Sequence, residues 1–266
     1  MSVIALLPPR LLRHLQFVLG RERQLVVAQS WDDLEGLIRA HPVAIAIIDP
    51  SADGTVETTR FERLIAAHPS LPIVAYVSLS ASSFRAVTEL SRLGLEHVIL
   101  QAHDDAAEQM LAKIDRVSAS PLTSRLLQSL RPCLGQLPIP LAKAVEELFA
   151  EPHRYQSAKD IAVNARVPTV RLYRSFHAVN LASPKKLLVA AKLLRGYGYL
   201  ADTGHSVRSV SKKLGYRRAR IFADHTSQVF GINPSRLRAH VTEEAAIARL
   251  LSWINAAEDA PAAAVQ

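Results

Sequence analysis

Residues 206–238, SVRSVSKKLGYRRARIFADHTSQVFGINPSRLR, decide how the second half of the chain folds. Apolar residues at helical spacing follow Ser206, and a Leu-Gly-Tyr turn follows them. A second helical pattern then begins among three arginines, Arg217, Arg218 and Arg220. Helix N-termini carry partial positive charge and normally attract Asp or Glu. The arginines therefore indicate that an external anion binds at this point.

The same layout occurs 49 residues earlier, in SAKDIAVNARVPTVRLYRSF at 157–176. Each copy has a serine cap, a short helix, a tight turn and a second helix, and apolar residues such as Ile161 and Val210 fall at matching places. This is the layout of a helix-turn-helix, whose second helix enters the DNA major groove. A long helical pattern at 184–201 joins the two copies. The repetition favours two helix-turn-helix units in an all-α region.

The sequence around the second copy, LGY followed by FGINPSRLR, is similar to the closing signature of the AraC/XylS family of bacterial transcription regulators. The matching residues are Gly215, Tyr216, Phe222, Phe230, Gly231, Pro234 and Arg238. The resemblance covers about residues 140–243 and implies two helix-turn-helix units bridged by a linker helix. Two positions depart from the pattern: Arg166 replaces the usual turn glycine, and Asp224 replaces an arginine that usually faces DNA.

The resemblance also implies which side chains face DNA. The first recognition helix would run from about Pro168 to Val179 and the second from about Arg218 to Val229. The residues expected at DNA are Thr169, Val170, Tyr173, Arg174, Arg217, Arg218, Arg220, Ala223 and Asp224. Lysines expected at phosphates are Lys185, Lys186, Lys212 and Lys213.

Some of these roles have alternatives. Tyr173 fits either DNA contact or core packing, and Arg217 fits base contact, phosphate contact or a solvated position. Asp224 fits either an ion pair that orients Arg220 or acceptance of a hydrogen bond from cytosine N4, and we favour the ion pair because phosphate repels a free carboxylate.

The charge distribution supports DNA as the anion. Residues 151–240 hold 17 Lys and Arg against 4 Asp and Glu, a balance of +13 in a chain whose net charge is +8. A basic surface of this kind attracts nucleic acid, because arginine forks onto guanine or binds phosphate. The alternative is a solvated basic surface without a partner.

The first half of the chain shows a different pattern. Five short apolar runs alternate with amphipathic helical stretches between residues 1 and about 118. Buried strands separated by helices predict a parallel sheet covered on both faces, so we expect an α/β, flavodoxin-like five-stranded domain.

This half resembles the receiver domain of two-component response regulators in topology but lacks its reactive groups. Asp49 ends the third strand, at the position of the phosphoacceptor. Leu7 and Pro8 stand where receivers carry a metal-binding acidic pair, and Gln101 stands in place of a lysine. Without these groups a transferred phosphoryl group would be poorly stabilised. We therefore expect a pseudo-receiver in which Asp49 caps a turn.

The predicted organisation has four parts: a receiver-like domain at 1–118, a partly helical connector at 119–140, the DNA-binding domain at 141–243, and a C-terminal helix with a flexible tail at 244–266. Gly196 and Gly198 interrupt the linker helix. They indicate either close packing against a neighbouring helix or a flexible bridge between the two units.

Composition narrows the function classes. The single Cys133, the lack of a long apolar run and the uncharged N-terminus favour a cytoplasmic protein without a membrane partner. No Gly-rich phosphate loop, G-x-S-x-G or H-E-x-x-H motif occurs, so we expect no enzyme activity, cofactor, metal or catalytic residue. HDDAAE at 103–108 is typical of a helix start rather than of a metal site.

The leading hypothesis is a sequence-specific regulator of transcription that binds double-stranded DNA. A homodimer through the N-terminal domain, RNA polymerase or a regulatory protein are the further partners considered. The alternative is a protein-interaction module whose basic region has only nonspecific affinity for DNA.

Overall fold

The computed structural model describes residues 1–21, 23–52, 54 and 56–256. Most of the predicted tail, residues 257–266, and the side chain of Arg238 lie outside the described part. The chain forms two compact units. The first comprises Met1–Ser120 with Gly198–Tyr216, and the second comprises Pro121–Tyr197 with Arg217–Gln266.

The first unit contains a five-stranded parallel sheet. Its strands are β1 Ser2–Leu6, β2 Gln24–Val27, β3 Ile45–Ile48, β4 Ile73–Val77 and β5 His97–Leu100, in the order β2-β1-β3-β4-β5. The register places Val3 opposite both Leu25 and Ile45. This order is that of flavodoxin-like folds, which confirms the predicted α/β class.

Helices cover both faces of this sheet. They are α1 Pro9–Leu19, α2 Trp31–Ala40, α3 Thr58–Ala67, α4 Ala81–Arg92 and α5 Ala107–Ser118. Ile4 and Ile48 belong to one buried cluster with Phe61, whereas Val3 belongs to a second cluster with Met110. Because neighbouring residues of a strand point to opposite faces, the apolar runs that predicted the sheet supply two cores.

After Ser120 the described chain is helical and contains no strand. Its α-helices are α6 Pro121–Leu134, α7 Ile139–Ala150, α8 Ala158–Asn164, α9 Thr169–Ala178, α10 Pro184–Ala201, α11 Val207–Lys213, α12 Ala219–Phe230, α13 Pro234–His240 and α14 Glu243–Asn255. The all-α prediction is therefore confirmed. None of the helices described is both long and apolar enough to cross a membrane.

The two predicted copies have matching backbones. α8 and α11 are each seven residues long, and the turn after each is closed by the same bond: Val167 N donates to Ala162 O, and Tyr216 N donates to Ser211 O, both at 3.0 Å. Arg166 has φ 54° where Gly215 has φ 74°. Arginine therefore holds the left-handed conformation that glycine holds in the second copy.

The predicted helix limits need small corrections. Pro168 precedes α9 with extended backbone instead of forming its first turn, and α12 begins at Ala219, so that Arg218 is its N-cap. α10 continues through both glycines. A Cβ added to Gly198 would meet nothing within 4 Å, so close packing does not account for this glycine.

Candidate nucleic-acid interface

α9 separates buried from exposed residues along its length. Leu172 and Phe176 are buried, whereas Val170 is 62% exposed and Tyr173 is 43% exposed. Arg174 is exposed and Thr169 is half-buried. The side chains predicted to face DNA therefore lie at the surface of α9, and the exposure of Tyr173 does not suit a core packing role.

α12 has the same division. Phe222, Thr226 and Val229 are buried, while Arg220 and Asp224 are exposed and Ala223 is half-buried. Ile221, which the sequence analysis did not single out, is 40% exposed. Arg217 and Arg218 are exposed immediately before the helix.

The N-termini of α9 and α12 differ from those of the helices that precede them. In α8 the Asp160 carboxylate accepts from Ser157 N at 2.9 Å, and in α11 Ser206 and Ser209 cap each other. Neither α9 nor α12 has a side-chain cap or an acidic residue in its first turn. Their uncapped amides and N-terminal partial charges are suited to an external anion.

Arg220 and Asp224 lie one turn apart on the surface of α12. Arg220 Nε is 3.9 Å from Asp224 Oδ2, and the two side chains are 90% and 67% exposed. Such an exposed pair contributes little to stability. Its geometry is the one required if Asp224 orients the guanidinium.

The four predicted phosphate-binding lysines have different surroundings. Lys185 and Lys212 are exposed. Lys186 is half-buried, and its Nζ donates to the carbonyl of Ala256 at 2.6 Å, at the end of α14. Its position there also stabilises the C-terminal end of a helix, where partial negative charge collects.

Lys213 does not lie where a phosphate contact requires. It is 4% exposed, its Nζ donates to the Ile38 carbonyl, and the same atom is 3.0 Å from His205 Nε2. Helical spacing alone places Lys212 and Lys213 side by side, and the burial of one face of α11 separates them.

The pKa of His225, in α12, reports positive charge around it. Burial lowers this pKa, Lys185 and Lys192 lower it further, and Asp224 acts in the opposite direction. Burial also lowers the pKa of Lys192 to about 8, against the effect of Asp160. Lysines of α10 thus lie close enough to α12 for their charges to act on it.

The receiver-like position has no reactive constellation in the described residues. Asp49 is buried and accepts hydrogen bonds from the Ser51 backbone at 2.9 Å and the Ser51 hydroxyl at 2.7 Å. Gln101 accepts from the Ser78 hydroxyl at 2.6 Å. Asp49 has the turn-capping geometry that the sequence analysis expected.

A cluster in the first unit was missed. Asp202, His205 and Lys213 lie with His68 of the α/β sheet domain, all less than a tenth exposed. The parts of the chain that meet here are more than 130 residues apart, for example Ser70 and Asp202, whose side chains are bonded. Neither periodicity nor motif spacing detects such a contact.

The fold defines a class: a doubly wound parallel sheet followed by helices that include two matching helix-turn-helix stretches. No family model and no curated protein matches the chain. Among solved structures, full-length FixJ from B. japonicum is 13% identical with a TM-score of 0.39, over 73% of this chain and 96% of that one. The xylose-binding transcription activator XylR is 14% identical with a TM-score of 0.35, over 90% of this chain and 70% of that one. Both TM-scores are low, so the function proposed below rests on the residues of this chain.

Proposed function

We propose that this chain is a sequence-specific regulator of transcription that binds double-stranded DNA through two recognition helices, α9 and α12. The observation that carries the proposal is the repeat. Two stretches of matching turn geometry each lead into a helix that lacks a cap and an acidic first turn and exposes basic residues. A single uncapped helix is common, but two at equivalent positions in one basic region favour a shared polyanionic ligand.

Each helix offers groups for base reading. Arg218 and Arg220 present guanidinium groups that pair with the O6 and N7 atoms of guanine, and Asp224 orients Arg220. Thr169, Tyr173 and Arg174 supply polar contacts from α9, while the exposed Val170 and Ile221 suit the methyl group of thymine. Arg217, Lys185 and Lys212 serve phosphates.

The α/β domain takes no part in phosphoryl transfer under this proposal. Asp49 is engaged by Ser51, and Leu7, Pro8 and Gln101 supply neither carboxylates nor a lysine for a phosphoryl group and its metal. The domain is used for dimerisation or for coupling to RNA polymerase or a regulatory protein. The chain acts as a DNA-binding regulator in the cytoplasm and not as an enzyme.

Substitution of Arg220 tests base reading. Arg220→Ala should weaken binding to the preferred duplex by about 1–3 kcal/mol and relax the preference at one base pair, because a fork to guanine is lost. Lys185→Ala is the matched control, since loss of a phosphate contact weakens binding to all duplexes alike. Titrations of the best site, its single-base variants and a scrambled duplex measure both effects.

An equal loss on every duplex for both variants would contradict the reading role of Arg220. It would leave only the nonspecific affinity of the interaction-module alternative.

A further inference from the structure

Residues 202–205 are bonded to the end of α3 within the first unit. Asp202 is fully buried and accepts hydrogen bonds from the backbone and hydroxyl of Ser70, at 2.8 and 2.7 Å. Gly204 N donates to the Ala67 carbonyl at 2.9 Å. Backbone and side-chain bonds together define one specific docked position of this segment.

The docking requires glycine at position 204. A Cβ added there would lie 2.3 Å from Cε1 and 2.7 Å from Nε2 of His68, which is 3% exposed. No heavy atoms approach so closely, and the imidazole is enclosed. Any larger residue at position 204 therefore displaces the segment or the ring.

Lys213 is the cation that this docking removes from solvent. Its Nζ donates to the Ile38 carbonyl of α2, lies 3.0 Å from His205 Nε2 and is 4.7 Å from the centroid of the Tyr199 ring. An amino group leaves water only where other groups bond it. The docked segment supplies such groups to a lysine that the sequence had marked for DNA phosphate.

His68, Asp202 and His205 also have the donor atoms of a metal site, all within 4.8 Å of one another. The amino group of Lys213 occupies the place beside His205 Nε2, and its charge opposes a metal ion there. Nδ1 of both histidines is buried without a hydrogen-bond partner among the described residues, which weakens the closed arrangement. A contact of limited stability that holds a cation is suited to opening and closing.

We propose that residues 202–213 form a latch that holds Lys213 on the α/β domain, and that protonation of His205 opens this latch and returns Lys213 to the DNA-binding surface. The effect on DNA rests on the proposed function, whereas the latch itself does not. In the open state Lys213 is an exposed cation four residues before Arg217 in the chain and adds one phosphate contact. The closed state therefore binds DNA more weakly.

Proton binding favours the open state. The groups that face His205 from its own and neighbouring elements are Asp202, Lys213, His68, Arg39 and Tyr199. Burial lowers the pKa of His205 to about 4; Lys213, His68 and Arg39 act in the same direction and Asp202 opposes them. An exposed histidine titrates near pH 6.5, so the closed state binds fewer protons. Closing is at full strength above about pH 6.5 and weakens by up to about tenfold per pH unit down to about pH 4.

Two glycine substitutions on the same segment test the latch without DNA. Hydrogen exchange of the α11 amides in the full chain is followed by mass spectrometry, with β4 as the internal reference. At about pH 7.5, Gly204→Ala should raise exchange in α11 by about tenfold or more, while Gly198→Ala, whose methyl group meets nothing within 4 Å, should not. The unsubstituted chain should show the same rise relative to β4 when the pH falls to about 5. Equal exchange in both variants, or no rise with acid, would overturn the latch.

Ser70→Ala provides a second variant if Gly204→Ala does not fold. It removes the hydroxyl donor to Asp202 from an exposed position and should raise exchange in the same segment, to a smaller extent.

The second arm measures DNA binding against salt. Gly204→Ala should bind duplex DNA more tightly and steepen the slope of log K against log salt by about one, and Lys213→Gln in the same chain should reverse that change. An open latch with an unchanged slope would refute the sequestration of Lys213. If no variant binds DNA, the proposed function fails, and the exchange arm still decides whether the latch exists.

Discussion

Arg166 shows what a single residue contributes to the first turn. Its φ of 54° lies in the left-handed region, and its side chain is exposed, whereas Gly215 has φ 74° at the equivalent position of the second copy. A non-glycine residue in this region is strained by about 1 kcal/mol. The sequence predicted a turn at 166 that lacks its usual glycine, and the structure shows that the backbone keeps the glycine conformation.

Arg166→Gly should therefore stabilise the chain, by about 0.5–1 kcal/mol, because the strain is relieved and no buried contact is lost. Gly215→Ala is the mirror-image variant and should destabilise it by about 1 kcal/mol. Urea midpoints from circular dichroism measure both. A lower midpoint for Arg166→Gly would show that the turn is not strained.

Lys213 shows the limit of prediction at the same scale. Residue type and charge density marked Lys212 and Lys213 equally, yet only Lys212 is exposed. The difference comes from Ile38 and His205, which bond Lys213 and are distant from it or unremarkable in sequence. Charge patterns identify a basic region, whereas tertiary contacts decide which of its cations are free.

The elements themselves were largely predictable. Strand and helix periods indicated all five strands and the limits of α2, α10 and α12, because apolar spacing follows from which face each element buries. Polar capping was less visible: Pro168 was placed inside α9, although its ψ of 144° is extended. Element ends depend on local bonds that periodicity does not register.

α10 offers a test at the scale of one helix. Gly198→Ala should stabilise the chain by about 0.5–1 kcal/mol, because alanine has the higher helix propensity and a methyl group there meets nothing within 4 Å. Gly231→Ala is the control: at φ 70° it ends α12, and alanine there should destabilise by about 1 kcal/mol. Thermal unfolding of both variants distinguishes them. A destabilised Gly198→Ala would mean that α10 needs flexibility at this position.

At the scale of the whole molecule, the sequence indicated an α/β part and an all-α part but not how the chain is shared between them. The first compact unit includes Gly198–Tyr216, so the division between the units falls between α11 and α12. The bonds of Asp202 and Lys213 to the sheet domain account for this sharing. Such bonds join residues far apart in sequence, and a single chain without relatives carries no signal for them.

Selection of the full chain on a random duplex pool tests the central claim most directly. The best site and a scrambled duplex are then titrated across salt concentrations. The proposed regulator should give an enriched motif, with half-sites spaced by about one helical turn, a specificity gap of about 10³ or more and a steep salt slope on both duplexes. Affinity that follows charge alone, with no enriched motif, would contradict sequence reading by α9 and α12.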